Sequence, residues 1–268
     1  MKKPERFAVC MAAMATLALI FAGCSDETDE PDPGIVYDAG EWVITDTTAV
    51  RYRGTATEVN VPDGVTFIGV DAFEDCGNLK TVAYGGTLAQ WCALDAYFLM
   101  KYAGQVTMSD GTDLKHMTTL AIPDGVRSIG DGAFKNCAAL TSVTIPASVV
   151  IVGGRAFADC TGLTDVTIPE GVTDIGYSAF WGCTSLASVK IPEGVTEIGG
   201  QAFCGCESLT EVTIPASVTE IGWYAFYECT SLTIINYTGT EEQWNAITKD
   251  SDWDADTGKY KITYDYTE

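Results

Sequence analysis

The chain has 268 residues, with 37 acids, 15 bases, a single histidine and a formal net charge of −22 at pH 7. Hydrophobic residues at 47% against 19% charged exclude a disordered acidic tail and allow a sizeable core. So acidic a surface excludes a phosphate-neutralising nucleic-acid face, and one histidine removes most hydrolase, nuclease and zinc-enzyme constellations.

Residues 1–6 read MKKPER, and an apolar run follows from Phe7 to Phe21, ending in Ala22-Gly23-Cys24. A basic start, a short apolar core and small residues before the cut describe a secretory signal over residues 1–23. A membrane-spanning helix needs about 20 apolar residues, more than this run holds. The small residues directly before Cys24 resemble a bacterial lipobox, although Phe21 stands where leucine is usual. That resemblance implies lipid attachment at Cys24. Residues 24–40 contain SDETDEPDPG, whose acids, prolines and glycine read as a flexible tether. An acidic run after the lipid cysteine is similar to the surface-export signal of lipoproteins from Bacteroides-like bacteria, and a solvated spacer is the plain alternative. The body is too acidic to bind anionic lipid, so membrane contact falls to the N-terminal lipid alone.

Residues 41–268 form the main domain. Residues 41–60 read as a degenerate first coil. A 23-residue copy spans 61–83, a segment at 84–121 interrupts the series, and five gapless copies run from 122 to 236. Each copy opens on Ile or Val followed by proline. A valine comes four residues on and a glycine eight on, from Gly69 to Gly222. Phenylalanine stands twelve on, from Phe73 to Phe226, and leucine eighteen on, from Leu79 to Leu232. Fifteen on stand Cys76, Cys137, Cys160, Cys183, Cys206 and Cys229. A coil this short cannot bury its own apolar face, whereas stacked coils cover one another. In Leu186-x-x-Val189-x-Ile191 the alternation turns Val189 and Ile191 inward and Ser188 and Lys190 outward. The phase-locked glycine suggests a positive-φ position. Tyr84 with Trp91 and Tyr237 with Trp244 repeat one pattern, read as a capping unit in the 84–121 insert and in the 237–268 C-terminal cap. Helices are expected around 88–102 and near 241–248, with a strand near 260–264.

The IPxxVxxIGxxAFxxCxxLxxVx pattern resembles the BspA-type leucine-rich repeats of bacterial surface proteins. The resemblance implies a β-rich leucine-rich-repeat solenoid, α/β horseshoe-like, with short strands and short helical turns in a single curved right-handed domain. It also implies an exported, outer-membrane surface protein that binds a protein or glycan, such as host matrix fibronectin or fibrinogen.

The six phase-locked cysteines read as a structural ladder of small apolar thiols rather than a metal or redox site. Cys204, at a variable phase, is expected at a solvent-facing rim. His116 reads as a surface-loop residue. Asp250, Asp252, Asp254 and Asp256 read as an acidic turn, with a weak calcium site as the alternative, since EF-hand spacing is missing. No cofactor or metal is expected. At variable phases stand Tyr177 and Trp181, and two coils on Trp223, Tyr224 and Tyr227, about 10 Å away at strand spacing. Aromatics there suit a binding face or packing on the cap. A polar strand face, from Thr144, Thr167 and Lys190 to Thr213 and Asn236, is a second docking area. The leading expectation is a non-catalytic binding protein. The alternatives are a glycan-acting enzyme with paired carboxylates and a spacer without its own ligand.

Overall fold

The computed structural model describes residues 57–69, 72–73 and 79–267, apart from the side chains of 98 and 102. It also describes the backbone of three strands, Ile35–Asp38, Trp42–Thr45 and Thr48–Tyr52. The signal segment, Cys24 and Cys76 lie outside the described residues. Ile35–Asp38 is a strand within the stretch expected to be tether. Contacts divide the chain at residue 35, and the architecture below is that of residues 36–268.

It is a parallel β-solenoid of about nine turns. The first wall follows from the alternating residues before each proline. Ser142–Thr144 lies parallel between Thr119–Ala121 and Asp165–Thr167, with Val143 opposite Leu120 and Val166. Ser188–Lys190, Glu211–Ile214, Ile234–Tyr237 and Lys261–Thr263 continue the register, with Val189, Val212, Ile235 and Ile262 in one row. In Ser188–Lys190 the central valine is buried and both flanking residues are exposed, as a half-buried strand requires. The proline that follows has no amide proton and ends the pairing.

A second wall consists of two-residue strands, from Ser128–Ile129 through Ile151–Val152, Asp174–Ile175, Glu197–Ile198 and Glu220–Ile221 to Thr248–Lys249. Their inner residues, Ile129 to Ile221, are buried. The third side is the Ala-Phe segment. It forms consecutive turns, matching the short helical turns expected, because alternate amides bond back along the chain, as Ala156 does to Gly153 O at 3.2 Å, and the others bond to the next coil. Phe134, Phe157 and Phe180 N–H groups donate at 2.8 Å to the carbonyls of Ala156, Ala179 and Ala202. The rings stack in register at 5.4–5.5 Å between centroids from Phe134 to Phe226.

The glycine eight residues into each coil has a different reason from the one expected. None of Gly130, Gly153, Gly176, Gly199 and Gly222 has positive φ. Instead the coils touch there: a Cβ on Gly153 would lie 2.6 Å from the Ile129 carbonyl, and one on Gly176 would lie 2.6 Å from the Gly154 nitrogen. Left-handed backbone falls ten residues in, at Gly132, Arg155, Ser178, Gln201 and Tyr224, and fourteen in, at Asn136, Asp159, Gly182, Gly205 and Glu228.

The segment 84–121 is a coil of the stack as well as an insert. Its strand Gln105–Met108 pairs in parallel with Thr81–Tyr84. Its helices α1, Leu88–Cys92, and α2, Tyr97–Tyr102, lie under the first gapless copy. There the Gly130 amide reaches Cys92 O at 2.6 Å, and the Trp91 indole N–H donates to Ala133 O at 2.8 Å. The C-terminal segment uses the same parts. Thr87 and Thr240 cap α1 and α3, Glu241–Ala246, each in a reciprocal box with the glutamine three residues on. Tyr84 meets Trp91 edge-on at 5.3 Å, and Tyr237 meets Trp244 at 5.2 Å.

Removing one ring from the phenylalanine stack leaves a void between two coils that the backbone ladder holds apart. Phe180→Ala is therefore expected to lower unfolding free energy by about 3–5 kcal/mol in urea titration. Exposed Ile151→Ala is expected to stay within about 0.5 kcal/mol.

Candidate binding face

Side chains nine residues into each coil form a column: Asp131, Gly154, Tyr177, Gly200, Trp223. Those thirteen in form another: Lys135, Ala158, Trp181, Cys204, Tyr227. Large and small residues alternate in both, and this decides how the aromatics lie. The Trp223 indole covers Gly200, where a Cβ would stand 2.8 Å from its Nε1. It thereby reaches Tyr177 at 5.7 Å between centroids, closer than the two-coil separation suggested, because the ring lies down across the intervening coil. Tyr224 meets Trp223 at 5.4 Å and Tyr227 meets Tyr224 at 5.0 Å, both edge-on. Trp181 and Trp223 remain 38% and 41% exposed.

Two cations continue the row in the other direction. Arg155 stands 4.7 Å from the Tyr177 ring and 5.1 Å from the Tyr97 ring. Lys135 lies 5.6 Å from Trp181 and pairs with Asp159 at 2.6 Å. The far end is acidic: the Glu228 carboxylate, then burial and the Asp256 carboxylate, push the Tyr227 phenol above its ordinary value. The structure thus brings four of the five expected aromatics into contact, Tyr177, Trp223, Tyr224 and Tyr227, sets Trp181 against Lys135 and Cys204 instead, and adds Tyr97, Lys135 and Arg155, which the sequence reading missed. The signal for Lys135 was present, since it occupies the phase of Trp181. Tyr97 comes from α2, which has no repeat phase to read.

The BspA type leucine rich repeat region matches this chain in six copies, over residues 47–92 and 113–240. The chain belongs to the BspA-type leucine-rich repeat family. No curated protein matches it. Among solved structures it is similar to the T. pallidum leucine rich repeat protein TpLRR, at 24% identity over 78% of this chain and 81% of that one, with a TM-score of 0.42. It is also similar to the pneumococcal vaccine antigen PcpA, at 15% identity over 76% and 68% with a TM-score of 0.49. A leucine-rich repeat protein from Bacteroides ovatus matches at 19% identity over 87% and 91%, with a TM-score of 0.34. The BspA-type match breaks between 92 and 113, the stretch that carries Tyr97.

The BspA-type cysteine column is buried from Cys137 to Cys229. Cys160, Cys183 and Cys229 thiols donate at 3.2 Å to the carbonyls of Phe134, Phe157 and Phe203 in the coil before. Burial pushes the Cys183 and Cys229 thiols up to about 12. Cys204 departs from the expected rim position. It is buried, because Trp181 lies over it and hydrogen-bonds its sulfur. His116 is exposed in its loop, 2.7 Å from Asp113. The aspartate run is the last coil's turn. Glu228 N–H donates to Ala255 O, so Asp252 and Asp256 take the two left-handed phases, which aspartate tolerates better than most residues. No cluster of three metal-binding side chains occurs among the described residues. On the strand face, Thr144, Thr167 and Lys190 are exposed, but Thr213 and Asn236 are buried, and Asn236 donates to Glu211.

The thiol column stabilises the fold while its members stay protonated. Its contribution is complete below the ordinary thiol value of 9.0 and is lost as pH rises from there through about 12. Iodoacetamide on the folded chain at pH 8 is expected to leave Cys183 and Cys229 unmodified and to label both in denaturant, as read by peptide mass spectrometry.

Proposed function

We propose that the chain is a non-catalytic, exported surface protein, lipid-anchored at Cys24, whose solenoid binds a macromolecule along the aromatic row. The observation that carries this reading is the arrangement of Trp181 and Trp223. Trp223 covers Gly200 and Trp181 hydrogen-bonds Cys204, and each indole remains over a third exposed on a backbone bonded from coil to coil. Large rigid aromatics give contact area with little side-chain entropy to lose, as binding hot spots need. The row supplies such contacts and the repeat supplies their spacing. The phase-locked residues of the repeat are absorbed by core and turns. The reading extends to a protein or glycan partner on the host matrix.

The Trp181→Ala/Trp223→Ala double variant is expected to keep its melting temperature within a few degrees. It is expected to lose at least about tenfold in binding to whichever matrix protein or glycan the parent retains on an array. Unchanged binding would move the partner off this face. Cys24→Ala is expected to abolish incorporation of a clickable palmitate analogue and to release the chain from the membrane fraction.

A further inference from the structure

We infer that the aromatic row is a saccharide-binding shelf that takes a chain bearing a carboxylate, with the carboxylate held at Arg155; this rests on the row being the binding face. The backbone beneath the rings is already committed within the stack. Arg155, Ser178 and Gln201 N–H groups donate at 2.9 Å to the carbonyls of Tyr177, Gly200 and Trp223. The Asp159 and Gly182 amides likewise donate at 2.7 and 2.8 Å to Trp181 and Cys204. A peptide therefore finds no free strand edge here, and main-chain pairing, the usual source of peptide affinity, is closed to it. What the row offers is outward ring faces and side-chain polar groups.

Flat ring faces match the apolar faces of pyranose rings, which stack on aromatics while their hydroxyls take hydrogen bonds at the sides. Carboxylates suited to those hydroxyls stand at the far end, in Glu228 and Asp256 beside Tyr227.

Charge decides the acidic character of the ligand. In a chain of net charge −22, two cations sit together at one end of the row. Lys135 is neutralised by Asp159 at 2.6 Å. Arg155 has no hydrogen bond or ion pair from its side chain among the described residues. Its neighbour Asp131 accepts the Gly154 amide at 2.6 Å and feels the Arg155 charge without pairing with it directly. The Arg155 guanidinium leans on Tyr97 and Tyr177, which orient it and leave its in-plane donors for a carboxylate. One such cation against an acidic background selects a saccharide with isolated carboxylates over a densely sulfated polyanion.

The test probes the whole chain on an array of uronate- and sialate-containing oligosaccharides beside their neutral counterparts, with basic and acidic peptides in parallel. Carboxylated saccharides are expected to be retained about tenfold better than neutral ones. Arg155→Gln is expected to remove that difference while leaving neutral binding. Trp223→Ala and Trp181→Ala are expected to weaken both by about tenfold. Trp223→Phe, which keeps an aromatic plane, is expected to recover most of the loss. Added salt is expected to weaken the carboxylated arm alone. Retention of no saccharide, or a preference unchanged in Arg155→Gln, overturns the inference. If peptides but not saccharides are retained through the same tryptophans, the binding face stands and the saccharide assignment falls.

Discussion

Alternate amides of each coil's Ala-Phe segment, the phenylalanine's among them, bond to carbonyls one coil on at about 2.8 Å, and fix the rise per coil at one strand spacing of roughly 4.8 Å. Everything else in the fold answers to that distance. Phenylalanine rings stack at 5.4–5.5 Å with interplanar angles of 14° or less, because their backbones allow little else. Thiols reach back to the previous coil's phenylalanine carbonyl, which also accepts the amide of its own coil's cysteine, so one oxygen ties two coils. Where strand and turn meet, the coils come so close that only glycine fits.

The same spacing governs the exposed surface. A flat indole is wider than one coil, so two of them cannot lie on adjacent coils at the same phase. Alternation follows: Tyr177 and Trp223 with Gly200 between them, and Trp181 with Ala158 and Cys204 on either side. The small residue acts as the seat of the large one. Cys204 is a member of this pairing and is buried, as Ala158 is on the other side of Trp181. Variable positions in a solenoid are thus coupled in pairs, and a change at a seat acts on the ring above it.

This coupling marks the limit of what could be read from residue order. The columns of Phe, Cys, Leu and Val were legible, since a strict period leaves one way to bury them, and the inward turn of Val189 and Ile191 followed from alternation. The second wall was not legible: two-residue strands such as Glu197–Ile198 are too short to show alternation and exist only through their neighbours. The glycines were noticed for the right regularity and explained by the wrong cause, because close approach and positive φ leave the same mark in one sequence. The insert read as an interruption because its phases are lost, although Cys92 and Ala96 occupy coil positions against Gly130 and Asp131. Tyr97 was invisible for that reason. In the aromatic row the rings could be picked out, but their contact with Arg155 and Lys135 depends on how they lie across coils.

The two non-repeat units do more than cover apolar ends. Trp253 places its ring edge-on against Phe226 at 6.1 Å, closing the phenylalanine stack, while Asp254 in the next position accepts the Tyr260 hydroxyl. The turn that carries them brings Asp256 to Tyr227. At the other end, Trp91 anchors the insert to Ala133, and α2 follows so closely that a Cβ on Gly132 would lie 2.5 Å from the Tyr97 Cα. That contact is what sets Tyr97 against Arg155. Each cap therefore closes the core and adds one side chain to an end of the aromatic row: the insert sets Tyr97 beside Arg155 and Lys135 of the first two gapless copies, and the C-terminal turn sets Asp256 beside Tyr227, near Glu228 of the last copy. The number of copies between the caps sets how far apart the two ends stand, while Lys135, Arg155 and Glu228 belong to the copies themselves, so the charge at each end of the row depends on which copy adjoins the cap.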